Sequence, residues 1–274
     1  MSKQQSPQSI AVIISTYNAA RFLRMTLAGY ARQSHHDFSI YIADDGSGPE
    51  IRQVIDDFTR SCNIPIHHLW HDDKGYRRAG IINQALARIQ EPYILLTDAD
   101  CIPPPDLLAT HLRLAEPGVF MRGSRVMLSE KITGELSQSG QWVPDMSTMK
   151  WLNWRCKGKI NRILPLLMPV HTSGPGQKLP GIRGCHFAFW KKDILQVNGF
   201  DASYEGWGRE DSDLAARLFH AGKVRKNIYG MPVFHLWHPE ASRSQLKEND
   251  VFLEECLRSK RVEAIIGIRE LKST

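Results

Sequence analysis

Four apolar runs, each separated from the next by a helical stretch and each halted by a polar cluster, restrict the start of the chain to one architecture. The runs are 9–14, 38–43, 64–70 and 93–97. Between them, 20–33, 50–61 and 78–89 carry apolar residues at helical spacing, in the last case Ala79, Ile82, Ala85, Leu86 and Ile89. The first run is β-branched and continuously apolar, the composition of a strand buried on both faces. Strand and helix alternating at these intervals predict right-handed βαβ units, an α/β fold with a mostly parallel sheet flanked by helices. Ligands of such sheets sit beyond the carboxyl ends of the strands. The polar clusters fall at that edge: Ser15-Thr16-Tyr17-Asn18, Asp44-Asp45-Gly46-Ser47-Gly48 and Asp98-Ala99-Asp100.

Asp98 and Asp100 are spaced i, i+2, which in an extended chain points both carboxylates the same way. Two like charges held together need a positive group between them, and a divalent metal carrying a phosphate is the usual remedy. The competing reading makes Asp98 a solvated turn residue and Asp100 the cap of a helix starting near Pro105.

At 274 residues the chain can bury one large core or two modest ones. Its net charge of +6 and pI of about 9.1 favour anionic partners such as nucleotides, phospholipid surfaces or nucleic acid. Five cysteines, odd in number and without a C-x-x-C pair, read as reduced thiols of a cytosolic protein. The polar stretch 1–9 has no signal core, and no apolar run spans a bilayer, so a cytoplasmic location is expected.

Beyond a further strand at 119–128 the composition shifts. Between 146 and 192 stand nine basic residues (Lys150, Arg155, Lys157, Lys159, Arg162, Lys178, Arg183, Lys191, Lys192) and no acidic one. Trp151 and Trp154 lie among them, ahead of an apolar segment at 163–168. Segment 149–168 therefore suits the headgroup region of an anionic membrane, which would make the protein peripheral on its inner face. The alternative packs both Trp residues in the core and leaves the lysines to solvent. Residues 172–177 read as a mobile loop or lid, 184–190 as a strand, and 244–271 as a charged helical tail without chemistry of its own. No nucleic-acid motif accompanies the basic stretch, so nucleic acid is not an expected partner.

Two constellations in the second half carry chemistry. Glu210-Asp211-x-Asp213 follows Gly206-Trp207-Gly208 and precedes a helix. The acids suit a helix's first turn, but a Trp between glycines beside carboxylates also suits a sugar site, the ring covering C–H surface and the acids accepting hydroxyls. His235 and His238, spaced i, i+3 and stopped by Pro239, can meet one ion if the chain turns after His235. One carboxylate, two imidazoles and phosphate oxygens favour Mn²⁺, with Mg²⁺ second and Zn²⁺ disfavoured for want of cysteine ligands.

The strings I-I-S-T-Y-N, A-D-D-G-S, K-G-Y-R-R-A-G-I-I-N-Q-A and L-L-T-D-A-D, in order across 10–112, closely resemble the nucleotide-binding half of family-2 glycosyltransferases of the GT-A fold. Across 183–240, N-G-F-D, G-W-G-R-E-D-S-D-L and H-L-W-H-P resemble β-1,4-galactosyltransferases and related N-acetylgalactosaminyltransferases. The resemblance implies a GT-A domain over 9–240, with a nucleotide-binding half (9–115) and an acceptor and metal half (116–240), then a tail at 241–274. It implies donor contacts from Ser15, Tyr17, Asp45, Arg77 and Asp98, and a metal on Asp100, His235 and His238. It also implies a catalytic base at Asp211, with Trp207 and Glu210 shaping the acceptor and sugar pocket. His235 stands where some animal members have Met, which should widen metal use toward Mg²⁺.

The activity so implied is metal-dependent, inverting transfer of a hexose or N-acetylhexosamine, galactose or N-acetylgalactosamine first, from a UDP-sugar. The implied acceptor is a surface glycan such as lipopolysaccharide or capsule, built on a lipid. The rivals are a retaining transferase of the same fold, a nucleotide-sugar pyrophosphorylase, and a non-enzymatic sugar- or nucleic-acid-binding module. The pyrophosphorylase is disfavoured because Ser15-Thr16-Tyr17-Asn18 is not a Gly-rich basic loop.

Overall fold

The computed structural model describes residues 7–139, 147–240 and 242–271; most of the polar stretch that opens the chain, 1–6, lies outside them. Its strands are β1 (Ile10–Thr16), β2 (Phe38–Asp44), β3 (Ile66–Trp70), β4 (Tyr93–Asp98), β5 (Cys101–Ile102), β6 (Val119–Arg122), β7 (Arg125–Met127), β8 (His171–Thr172), β9 (Phe187–Trp190), β10 (Val224–Tyr229) and β11 (Val233–His235). Eight form one sheet in the order β3-β2-β1-β4-β9-β6-β10-β8. β1 to β4 are mutually parallel, and β9 runs antiparallel to both β4 and β6. The expected mostly parallel sheet is present.

β1 shows why a continuous apolar run was needed. Ile10, Val12 and Ile14 enter one core with Leu23 and Leu27 of helix Ala20–Tyr30 and with Val54 of helix Pro49–Ser61. Ala11 and Ile13 enter a second core with Ile81, Ile82 and Ala85 of helix Arg78–Leu86 and Leu214 of helix Glu210–His220. Alternate residues of one strand thus serve opposite faces of the sheet.

A second sheet, β5-β11-β7, sits beyond the end of β4. The single strand expected at 119–128 is therefore two, one in each sheet, broken at Gly123-Ser124. The break is steric: a Cβ on Gly123 would lie 2.0 Å from the His186 ring. The small sheet has its own core, in which Ile102, Val126 and Phe234 meet Trp151 and Trp154.

That core takes the two Trp residues out of the membrane reading of 149–168 and matches the alternative that packs them inside. Trp151 and Trp154 are 5% and 4% exposed, and Trp151 stacks on Phe234 at 5.2 Å, so neither ring reaches a headgroup layer. Segment 172–177 is not a free lid either. Ser173 and Gly176 donate their N–H groups to the carbonyls of Asn227 and Arg225, which straps the segment to β10. No described helix is long and apolar enough to cross a membrane.

The tail is tied to the body by charge. Arg217, fully buried, donates to Asp213 (2.6 Å) and to the carbonyls of Val197 and Gly199, and Arg261 reaches Asp213 (2.9 Å) and Asp201 (2.7 Å).

A buried His111–His186 pair (Nε2 to Nε2, 2.9 Å) braces helix Leu107–Leu114 against the start of β9. Nδ1 of His186 donates to the Ser124 carbonyl, which leaves its Nε2 as acceptor for His111. Burial holds both rings neutral, pushing His111 well down and His186 to about 4. Depressed folded-state pKa values contribute stability that is complete above about 6.5 and lost as pH falls toward 4. A His111→Gln/His186→Gln variant should therefore lose part of the acid-side slope of a Tm-against-pH profile. Equal slopes in the two proteins between pH 6.5 and 4 would remove this assignment.

Candidate active site

The carboxyl ends of β1 and β4 open onto Arg78, the first residue of helix Arg78–Leu86. Its guanidinium, almost wholly buried, binds Asp98 at 2.9 Å, Glu210 at 3.3 Å, Asp211 at 3.3 Å and the Ser15 hydroxyl at 3.1 Å. Four residues singled out from the sequence thus meet on one cation that was not. Arg77 was named instead. The signal for Arg78 lay in helical spacing: Ile82 and Ala85, at i+4 and i+7, are core residues, so position 78 faces inward.

Asp211 lies in the first turn of helix Glu210–His220 and also accepts the Gly184 N–H at 2.6 Å. A Cβ on Gly184 would come within 2.8 Å of that carboxylate and 2.4 Å of Arg78, so only glycine fits there. Glu210 is buried, and burial followed by the neighbouring Asp211 charge pushes its carboxyl up to about 7. Two adjacent acids thus differ in character: one buried and half-neutral near pH 7, one at the mouth of the site.

Asp98 and Asp100 do not point the same way. The chain leaves β4 after Asp98, whose last parallel partner is Ser15, and turns through Ala99, so the period-two argument ends there. Arg78 neutralises Asp98, and Asp100 faces the histidines. Nor does Asp100 cap the next helix, whose N-terminal flank is Asp106.

Asp100, His235 and His238 each offer a ligand atom, all within 4.8 Å of one another. His238 Nε2 lies 2.8 Å from Asp100 Oδ2, and His235 Nε2 lies 3.7 Å from Oδ1. His238 Nδ1 meets the Pro239 carbonyl at 2.7 Å, the outer contact that fixes Nε2 inward in metal sites. Nδ1 of His235 is buried without a partner. A proton now serves the Asp100–His238 contact, pushing His238 up to about 9, while burial lowers His235. A compact set of one carboxylate and two imidazoles fits a divalent ion in place of that proton.

The remaining residues form a second group. Tyr17, 51% exposed, donates to Asp73 at 2.8 Å. Asp45 is buried, takes His71 at 2.7 Å and the Arg77 N–H at 2.8 Å, and is raised by burial. The Arg77 side chain reaches the Asp72 carbonyl. Trp207 lines a cleft of about 330 Å³ with Tyr76, Arg77 and Gln245, at the small end of ligand sites. The Arg243 guanidinium lies 5.2 Å over its ring. Gly206, Gly208 and Arg209 all have positive φ (69°, 107°, 78°), the turn that presents this Trp. His71 and Asp73 were not foreseen.

Residues 11–157 match the family described as "Glycosyl transferase family 2", and 167–237 match "N-terminal domain of galactosyltransferase". Chondroitin synthase of Escherichia coli is 26% identical over 248 residues, 85% of this chain but only 35% of the relative's length. Staphylococcus aureus TarS 1–349, in a crystal structure with UDP, has a TM-score of 0.60 at 14% identity, covering 96% of this chain and 68% of that one. A mannosyltransferase from Pyrobaculum calidifontis, PcManGT, in complex with GDP-Man and Mn²⁺, has a TM-score of 0.55 at 14% identity, covering 98% and 74%.

Proposed function

The chain belongs to glycosyl transferase family 2 and is a glycosyltransferase of the GT-A fold, and from that premise we propose inverting transfer from a UDP-sugar. The donor sugar is a hexose or N-acetylhexosamine, galactose or N-acetylgalactosamine first, in keeping with the galactosyltransferase match over 167–237. The acceptor is a hydroxyl of a surface glycan such as lipopolysaccharide or capsule, carried on a lipid at the cytoplasmic face of the membrane. Five free cysteines support a reducing compartment, and exposed Met149, Leu152, Leu164 and Leu167 support an apolar carrier nearby.

The convergence of Asp100, His235 and His238 carries this reading. A divalent ion on those residues, Mn²⁺ before Mg²⁺, would supply positive charge to the departing diphosphate. Asp211 accepts the proton of the acceptor hydroxyl as that oxygen bonds to the anomeric carbon. The bond to the diphosphate breaks with its electron pair leaving on UDP, which needs no acid. Arg78 pairs with Asp211 at 3.3 Å and fixes Asp98 for the ribose. Tyr17, Asp45 and Arg77 flank the base, and Trp207 with Glu210 shapes the sugar pocket.

UDP with Mn²⁺ should raise the melting temperature more than either alone, by about 2.7 kcal/mol of stabilisation at a hundredfold excess over Kd. A His235→Ala/His238→Ala variant should lose the Mn²⁺ component. Anomeric NMR of product made with UDP-galactose or UDP-N-acetylgalactosamine should show a β-linkage. An α-linked product would remove Asp211 as base, and a metal-independent UDP shift would remove the ion.

A further inference from the structure

Five arginines gather on the far side of Asp211 from the nucleotide strands. Arg122 ends β6, Arg125 begins β7, Arg225 lies in β10, Arg183 immediately precedes Gly184, and Arg162 follows the Asn161 that pairs with Met127. None forms an ion pair among the described residues, where Arg78, Arg217 and Arg261 each meet two or more oxygens. Nε of Arg122 and Nε of Arg125 are buried without any partner. The contacts they do make are to neutral groups: Arg125 to the Cys185 sulfur at 3.8 Å, and Arg225 to the Pro180 carbonyl at 3.0 Å.

The cost of this arrangement is visible in the charges themselves. Burial, then Arg183, Arg225 and Arg162, push the Arg122 guanidinium down, and burial, Arg125 and Arg162 do the same to Arg183. Arg122, Arg125 and Arg225 are half-buried, with Arg162 and Arg183 exposed beside them, and half-buried cations set against other cations are relieved by an anion. Planar guanidinium groups suit carboxylate and phosphate oxygens in particular.

Topology separates Arg122 and Arg225 from the nucleotide, whereas Arg125 lies on β7 beside β11 and His235. Tyr17 and Asp45 sit at the ends of β1 and β2, and β4 and β9 intervene before β6 and β10. At about 4.8 Å per strand, β10 lies roughly 19 Å from β1. The donor diphosphate belongs at β4 and β5, where Asp100 stands. Arg122 and Arg225, with Arg162 and Arg183 beside them, therefore face what approaches Asp211 from the other side.

We propose that Arg122, Arg162, Arg183 and Arg225 form an anion subsite for the acceptor, which presents a carboxylate or phosphate close to the hydroxyl that attacks. This rests on Asp211 as the acceptor-side base. The acidic gap between 146 and 192 then has a purpose, since Arg162 and Arg183 come from it.

The test uses the full chain with Mn²⁺, UDP-N-acetylgalactosamine or UDP-galactose, and three acceptor probes. These are a hexuronate-terminated oligosaccharide, its carboxyl-reduced neutral counterpart, and a polyol-phosphate oligomer. Either the uronate or the phosphate probe should exceed the neutral one in kcat/KM by about 10- to 100-fold, and the better of the two names the source of the charge. Arg183→Ala and Arg225→Ala should shrink that preference toward one by raising the acceptor KM. Equal turnover of neutral and charged probes overturns the subsite. So does a rise in KM for the UDP-sugar with the charge preference intact, which assigns the arginines to the donor. Should no UDP-sugar be consumed, the transferase reading has failed, and calorimetry of the uronate and phosphate probes decides the subsite alone. Binding weakened in Arg183→Ala upholds it, and no binding to the unaltered protein overturns it.

Discussion

Asp211→Asn is expected to lower kcat by about 10²- to 10⁴-fold, the range that a positioned general base supplies. The carboxamide keeps an oxygen for the Gly184 N–H, and Arg78 keeps Asp98 and Glu210, so the loss reports proton acceptance and not collapse of the site. Binding of UDP and Mn²⁺, followed by calorimetry, should persist in this variant. Glu210 is the internal rival, because it lies next in the chain on the same cation. Its carboxyl, pushed up to about 7, would make turnover rise steeply through neutrality if it were the base. A flat rate from pH 6 to 8 together with a dead Asp211→Asn fits the assignment; an Asp211→Asn variant retaining a tenth of the wild-type rate ends it.

Arg78→Met should cost about 3–5 kcal/mol of stability, the range for removing one partner from a buried ionic cluster. Asp98, Glu210 and Asp211 all lose their shared cation at once, and Ser15 loses its donor. The sign of the pH dependence distinguishes this from simple cavity formation. Without the guanidinium the three acids are driven to bind protons, which occurs more readily as pH falls, so the penalty should shrink on acidification. Urea denaturation of both proteins at pH 8 and pH 5.5 measures it. A penalty independent of pH would mean that packing, not charge, is what Arg78 provides. Arg78→Lys should recover little, because one ammonium cannot span carboxylates arranged around a planar fork.

The parallel half of the sheet was legible because both faces of β1, β2 and β4 are buried, which writes a continuous apolar run into the sequence. The convergence of Asp100, His235 and His238 was legible too, as each half carries a compact local pattern. The small sheet was not: β5 and β7 are two and three residues long, too short for any period to register. The placement of Trp151 and Trp154 was left open because a Trp flanked by lysines has the same local composition whether its ring faces lipid or a core. What decided the matter was Phe234, some eighty residues away. The arginine cluster left only a partial linear trace, since Arg162 and Arg183 lie in the acid-free stretch 146–192 while Arg122, Arg125 and Arg225 lie on strands outside it.

The three strands of the small sheet begin at Cys101, Arg125 and Val233. A chain emerging from the ribosome can therefore pair β1, β2, β3 and β4 long before it can close this sheet around β11. Because the closing contact spans more than a hundred residues, its loop entropy falls due late, after most of the large sheet exists. Nascent protein can thus complete the edge that carries Tyr17 and Asp45 before the one that gathers Asp100, His235 and His238. Interactions formed so late belong to the unfolding barrier, so an ion seated on Asp100, His235 and His238 would act chiefly as a brake on unfolding.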